Sequence, residues 1–247
     1  MSETEIVYGL RAGIALCGKR PDDVVRVGYA GEVERDVADI VRALGRRKVP
    51  CRAMTARDLD RVAGTNHHEG FVVEARARRW ATMKELAERM AKTEAVGIAL
   101  DRVRNPYNVG AILRSAAFFG VDTALLGAPA PHPGLDPTAV RVAEGGVEHL
   151  FMSRTTDLAD TLGRLKERGV RIVGTDGHAK EDALGAPFGR PAMLVLGNER
   201  EGLGPRVRAQ CDLLVAIRGS GAVESLNVAV AAGVLVAHLT KRASDER

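Results

Sequence analysis

Three segments in the C-terminal half constrain the fold more than any other feature of this chain. The first is Asp101-Arg-Val-Arg-Asn-Pro-Tyr-Asn108-Val-Gly110, running on to Arg114. The second is Leu194-Val-Leu-Gly197-Asn198-Glu199-Arg-Glu-Gly202. The third is Ile217-Arg-Gly-Ser-Gly221-Ala-Val-Glu-Ser225-Leu226-Asn227. Each couples an apolar strand to a bend rich in Gly, Asn or Ser and then to helix-like sequence. Three such bends from one parallel sheet converge at the carboxyl ends of its strands, where open α/β folds bind ligands.

A chain of 247 residues is longer than one small domain needs, so two domains are expected. Hydrophobic residues make up 45% and charged residues 28%, the balance of a globular protein in water. No apolar run reaches the ~18 residues of a membrane span, so no membrane partner is expected. The start, Met1-Ser-Glu-Thr-Glu5, lacks the basic and apolar regions of a secretory signal, which points to a cytoplasmic location. Cys17, Cys51 and Cys211 are scattered and form no Cys-x-x-Cys pair, so neither disulfides nor a metal site is expected. The net charge of +4 is mildly basic. Its excess lies mostly in residues 1–94, which hold 18 Lys+Arg against 15 Asp+Glu. Arg46-Arg47-Lys48 and Arg76, Arg78 and Arg79 are read either as a solvated Arg-rich surface or as phosphate contacts.

Along the chain, residues 8–19 read as a helix, Val24–Tyr29 as a strand and Glu34–Leu44 as a helix with Val37, Ile40, Val41 and Leu44 on one face. A strand near Cys51–Met54, a helix around Arg57–Val62 and a strand Gly70–Ala75 complete a small α/β domain. Arg76–Glu94 reads as a charged helical linker with Trp80, Met83, Leu86, Ala87 and Met90 at helical spacing. Alternation then resumes: strand Val96–Leu100, helix Asn108–Gly120, strand Thr123–Leu126, a Pro/Gly-rich loop Gly127–Pro137 and helix Thr156–Arg168. Strands Val170–Thr175, Ala192–Leu196 and Leu213–Ile217 and a final helix Ser225–Thr240 follow. The expected domains are 1–78, a helical linker 79–94, and 95–243.

Within the helix from Asn108, Val109, Ile112, Leu113, Ala116, Ala117 and Gly120 form an apolar stripe. Arg114 lies about 140° from the stripe's centre, so it points away from its own sheet. Asn108 and Ser225 each stand where a helix N-cap is wanted. Val228–Val236 contains only Val, Ala, Gly and Leu. A helix apolar all round is buried on several sides, here between sheet and partner subunit. Other motifs fail. Gly219-Ser-Gly221 lacks the third glycine of a dinucleotide fingerprint, and His67-His68-Glu69 lacks His-Glu-x-x-His spacing. Asp176-Gly177-His178 follows a strand and reads as a turn or a ligand contact.

Asn108-x-Gly110-x-x-x-Arg114, Leu196-Gly197-Asn198-Glu199-x-x-Gly202 and Ser225-Leu226-Asn227-Val228 resemble, in order and spacing, the three motifs of the SpoU (TrmH-type) branch of the SPOUT methyltransferases. The resemblance covers roughly residues 95–243. Tyr8-Gly9-Leu10 and His68-Glu69-Gly70-Phe71 carry a weaker likeness to that family's accessory domain. The fold implied is α/β: a small N-terminal ribosomal-protein-like domain that binds RNA, and a C-terminal domain with a mainly parallel sheet and a trefoil knot. The activity implied is methyl transfer from S-adenosylmethionine to a ribose 2′-hydroxyl of rRNA or tRNA, the accessory domain favouring rRNA, by a homodimer with active sites at its interface. The cofactor is expected on the main chain of Gly197, Ile217 and Leu226, with Thr175 and Gly177 as lesser contacts. Asn108, Arg114, Glu199, Ser225 and Asn227 are expected around the reacting centre. Two other functions stay open on the sequence: a nonenzymatic RNA-binding or ribosome-assembly factor, and a base methylase of the same fold.

The implied chemistry asks little of the protein. A sulfonium methyl donor is already activated, so the main task is to align hydroxyl oxygen, methyl and sulfur. The resemblance implies that the arginine matching Arg114 is the base; because arginine is normally charged at accessible pH, a clamp on the phosphate beside the ribose is the reading preferred here, and both roles stay open. Three positions depart from the family pattern: Asn105-Pro106 for Asp-Pro, Ile217-Arg218 for Ile-Pro, and Glu144 where a small residue is common. Arg218 and Glu144 are expected to alter charge near the RNA.

Overall fold

The computed structural model describes residues 3–93, 96–121, 123–127 and 135–245. By internal contacts it divides into two compact units, residues 1–79 with 135–148, and residues 80–134 with 149–247.

The first unit opens with β1 (Thr4–Tyr8), α1 (Leu10–Lys19), β2 (Val24–Tyr29), α2 (Glu34–Arg46), β3 (Cys51–Ala53), α3 (Ala56–Ala63) and β4 (Phe71–Arg76). Its sheet has the order β1-β4-β2-β3, with β4 antiparallel to both neighbours and β3 parallel to β2. Alternation along β4 sends Phe71, Val73 and Ala75 to one face, against Leu16 of α1 and Val37 and Leu44 of α2. Val72 faces the other side, against Leu59 of α3. The two weaker sequence matches meet in this unit. The Gly9 N–H donates to the carbonyls of His68 and Phe71, and the Leu10 N–H donates to Glu69 Oε2 at 3.1 Å.

The second unit continues with α4 (Met83–Thr93), β5 (Val96–Asp101), α5 (Pro106–Phe118) and β6 (Thr123–Gly127). Residues 128–134, most of the expected Pro/Gly-rich loop, lie outside the described residues. The next helix, α6 (Pro137–Val142), belongs to the first unit, although the sequence boundaries assign it to the second domain. Val140 of α6 sits in the core with Leu16 and Phe71. Glu148, its side chain only 2% exposed, pairs with Arg78 and lies 3.8 Å from Arg20. Burial of that carboxylate between two guanidiniums, together with Val140 in the core, ties residues 135–148 to the first unit.

The chain then forms β7 (Phe151–Thr155), α7 (Leu158–Lys166), β8 (Arg171–Thr175), β9 (Glu181–Asp182), β10 (Ala192–Leu196), α8 (Pro205–Arg208), β11 (Leu213–Ala216) and α9 (Val228–Asp245). The sheet order is β7-β6-β5-β10-β8-β11-β9, and every pairing is parallel. Leu86, Ala87 and Met90 of α4 and Leu158, Leu162 and Leu165 of α7 share a core with Ala99, Leu125, Met193 and Val195 of the strands. The alternate strand residues Ile98, Leu100, Leu194 and Leu196 are buried as well. Helices α5 and α9 pack on each other, with Ile112, Leu113 and Ala116 buried on one and Ala232, Leu235 and Val236 on the other.

The expected linker is helical only from Met83, and Trp80 precedes the helix with the Arg154 guanidinium over its ring. Two caps also differ from expectation. Helix α5 starts at Pro106 and is capped by Asn105, whose side chain accepts the Tyr107 N–H at 3.0 Å. Asn108 is therefore inside the helix. The final helix starts at Val228 and is capped by Asn227 rather than Ser225, because Asn227 Oδ1 accepts the N–H groups of Ala229 and Val230 at 2.9 and 3.4 Å.

Candidate active site

The exits of β5, β10, β8 and β11 are adjacent, because these four strands are consecutive in the sheet. Leu196 pairs with Leu100, Val195 with Gly174, and Val215 with Thr175. Gly197, Thr175 and Ile217 therefore sit at the ends of three neighbouring strands, with Gly177 two residues beyond Thr175. The Thr175 hydroxyl donates to the Val195 carbonyl at 3.2 Å, so it fastens two of these ends together.

Gly197 cannot be another residue without moving the chain. A Cβ there would lie 2.4 Å from the carbonyl carbon of Gly202, closer than atoms pack. The close approach comes from a tight loop. The Asn198 N–H donates to the Gly202 carbonyl at 3.1 Å, and the Gly202 N–H donates back to Asn198 at 2.9 Å. Asn198 Oδ1 accepts the N–H groups of Arg200 and Glu201 at 3.0 and 3.2 Å, an Asx-type turn. Gly202 has φ +64°, which glycine adopts freely.

Asn108, Glu199 and Asn227, one from each of the three segments, meet directly. Asn108 Nδ2 donates to Glu199 Oε1, and Asn227 Nδ2 donates to Asn108 Oδ1 at 3.1 Å. Two of these residues are 119 positions apart. Arg114 lies on α5 six residues after Asn108, exposed rather than packed in the core. Ser225 and Leu226 lie in the exposed stretch 218–227 that leads into α9. Leu226 is 46% exposed, so its side chain is not what anchors this stretch. Ile217 is half-buried at the start of the same stretch.

The two departures expected to alter charge near the RNA are both engaged within the chain. Arg218 donates through Nη2 to the carbonyls of Ala179 and Lys180 at 2.8 and 2.6 Å. Glu144 lies 3.7 Å from Arg11 in the first unit. Sequence reasoning missed two other site-building residues, Asp101 and Arg102 at the exit of β5. Asp101 is buried, and its Oδ2 accepts the Gly204 N–H at 2.7 Å. The signal available was an acid at the end of an all-apolar strand.

Among the described residues no group of three His, Cys, Asp or Glu could hold a metal ion, and no helix is long and apolar enough to cross a membrane. The site offers main-chain amides and carbonyls at adjacent strand ends, one carboxylate that accepts from the Asn108 side-chain amide, and a guanidinium six residues further along α5.

A family model described as the SpoU rRNA Methylase family matches residues 95–237. The 23S rRNA (guanosine-2'-O-)-methyltransferase RlmB of Nitrosomonas europaea is 33% identical over 240 residues, covering 95% of this chain and 90% of that protein. The putative TrmH family tRNA/rRNA methyltransferase YacO of Bacillus subtilis is 31% identical over 207 residues, covering 83% and 82%. Among solved structures, the SpoU methyltransferase AviRb from Streptomyces viridochromogenes superposes with a TM-score of 0.79 at 24% identity, over 99% of this chain and 91% of that one. Its complex with the cofactor AdoMet gives 0.78 at 23%, over 98% and 91%. The structural likeness establishes the α/β fold with its parallel sheet.

Proposed function

This chain belongs to the SpoU rRNA methylase family, and from that premise we propose that it transfers a methyl group from S-adenosylmethionine to the ribose 2′-hydroxyl of a guanosine in 23S rRNA. The observation that carries this reading is the meeting of Asn108, Glu199 and Asn227 from three separate segments beside three adjacent strand ends.

The residues present fit the methyl donor. Gly197, Ile217 and Leu226 supply main-chain groups at and just beyond strand ends, with Thr175 and Gly177 alongside. Gly177 has open space where a side chain would stand. When bound, the donor supplies an electrophilic methyl on a sulfonium, and loss of that charge on transfer removes any need for an oxyanion hole. The protein's part is then orientation and proton removal. Arg114 stays charged and holds a phosphate next to the reacting ribose. Of Asn108, Arg114, Glu199, Ser225 and Asn227, only Glu199 carries a carboxylate, a group that accepts and does not donate when ionised. Glu199 receives the hydroxyl proton as the O–CH3 bond forms and the S–CH3 bond breaks. Ser225 stands on the exposed approach to Asn227 and contacts the RNA sugar.

Three further features belong to the same reading. The segment after β10 forms a trefoil knot; its support is that β10 lies between β5 and β8 while β11 lies beyond β8. The protein is a homodimer joined through α5 and α9; its support is Phe118, 82% exposed, with Val230 and Val234 exposed on α9. Residues 1–79 with 135–148 form the RNA-binding accessory module; its support is the exposed Arg42, Arg46, Arg47, Arg57 and Arg61. Mapping 2′-O-methyl groups in rRNA from a deletion strain against its parent tests the activity. Loss of one methyl from 23S rRNA is expected, and an unchanged map removes the proposal.

A further inference from the structure

Arg102 is held in an unfavourable backbone conformation at the exit of β5. Its φ is +57°, in the left-handed region that disfavours any residue with a Cβ. Its Nε is buried without a hydrogen bond, 3.5 Å from Asp101 Oδ1. Two unfavourable features at one residue call for something the side chain secures in return.

That return is the loop after β10. Arg102 Nη2 donates to the Gly202 carbonyl at 3.0 Å, and Nη1 pairs with Glu201. The carbonyl of Arg102 accepts from Asn198 Nδ2 at 3.2 Å. The same Gly202 carbonyl takes the Asn198 N–H at 3.1 Å. Gly197 is pressed against Gly202 with no room for a Cβ. The path of the main chain at Gly197 is therefore set by Gly202, and Gly202 is held from across the gap by Arg102.

We propose that Arg102 is a positioning residue for the methyl donor, fixing the main chain of Gly197–Gly202 in the shape that the donor's adenosine portion meets. The inference rests on the reading of Gly197 as part of the donor's cradle. Glycine adopts positive φ without strain, so Arg102→Gly separates the guanidinium's contribution from backbone stability.

The test is calorimetry of the full chain with S-adenosylhomocysteine, together with hydrogen exchange at the amides of Asn198 and Gly202. Arg102→Gly relieves the positive φ but leaves the buried Asp101 carboxylate without its neighbouring cation, so it is expected to stay folded with one cooperative melt at a temperature below the wild type. Its affinity is expected to fall about tenfold, the effect of one charged hydrogen bond, with faster exchange at both amides. Glu201→Gln is expected to bind as the wild type does, because the contact that matters is the one to the Gly202 carbonyl. If Arg102→Gly fails to fold, Arg102→Asn carries the same readouts, since asparagine tolerates this region. Wild-type affinity and exchange in the folded variant overturn the inference. A Gly197→Ala variant separates the two readings: its loss of binding beside an unaffected Arg102→Gly removes Arg102 alone, whereas its unchanged binding removes the cradle itself.

Discussion

Asn227 Nδ2 stands 3.1 Å from Asn108 Oδ1, and this contact fixes the sense of a chain of amides running from the start of α9 to a carboxylate. The N–H groups of Ala229 and Val230 can only donate, so Asn227 must show them its oxygen. Its nitrogen is then the donor to Asn108, whose own nitrogen is left to donate to Glu199. A helix terminus thereby orients a carboxylate two segments away and keeps it the acceptor of that bond.

Asn227→Asp isolates this effect. A carboxylate at this position still caps α9 and suits the helix dipole, but it cannot donate to Asn108. Thermal stability is expected to stay within about 0.5 kcal/mol of the wild type, while methyl transfer falls at least about tenfold, the equivalent of one lost hydrogen bond. Asn227→Ala removes the cap as well and is expected to cost about 1 kcal/mol of stability. Denaturant melts beside a methyl-transfer assay check both; full activity in Asn227→Asp removes the chain of amides from the mechanism.

The capping of α5 gives a contrast between two asparagines three residues apart. Asn105→Ala is expected to cost about 1 kcal/mol, because its side chain accepts the Tyr107 N–H. Asn108→Ala is expected to cost less stability but more activity. The opposite ranking in urea melts would return the cap to Asn108.

Glu148 supplies a prediction about the first unit alone. Its carboxylate is buried beside Arg78 and Arg20, and removing one member of such a group leaves an uncompensated buried charge, at a cost of about 3–5 kcal/mol. Glu148→Gln is expected to lower stability by a sum of that order. Limited proteolysis is expected to cut first within residues 135–148, and an unchanged melting curve contradicts this.

The thiols set an alkaline limit. Burial pushes Cys211 up to about 11 from an ordinary value of 9.0, with Asp212 adding to the rise. Burial pushes Cys17 up to about 12, with Cys51 and Glu148 adding. Both raised values favour the protonated form in the folded state. Their contribution to stability is complete below about pH 9, where the unfolded thiol also keeps its proton, and is lost as pH rises through the folded values. Melting temperature is therefore expected to fall between pH 9 and 11, less so in Cys17→Ala. At pH 8 both thiols are expected to react slowly with a thiol reagent until denaturant is added.

The central features were legible in the sequence because Gly197, Asn198, Gly202 and Asn227 break apolar runs where strands end, and breaks of that kind have few other uses. The direction of Arg114 followed from helical period alone. Other parts depended on contacts that a linear pattern does not carry. Strands β1 and β7 were not read, because each sets only two or three apolar residues in a row beside Thr4-Glu5 or Ser153-Arg154 and both lie at sheet edges. The helix starts were displaced because Pro106 at the first helical position marks Asn105 as the cap, and because Asn227 reaches the free N–H groups of α9 that Ser225 precedes by too far. The role of Arg218 could not be read at all, since its target carbonyls lie 38 and 39 residues away.

The most direct measurement is transfer of a labelled methyl group from S-adenosylmethionine to 23S rRNA from a deletion strain, comparing wild type with Arg114→Lys at matched S-adenosylhomocysteine affinity. A guanidinium that clamps phosphate with its planar fork is not replaced by a lysine ammonium. The account predicts one 2′-O-methyl nucleotide formed by the wild type, and most turnover lost in the variant with donor affinity unchanged. Equal turnover in the two proteins, or a label found on a base, contradicts it.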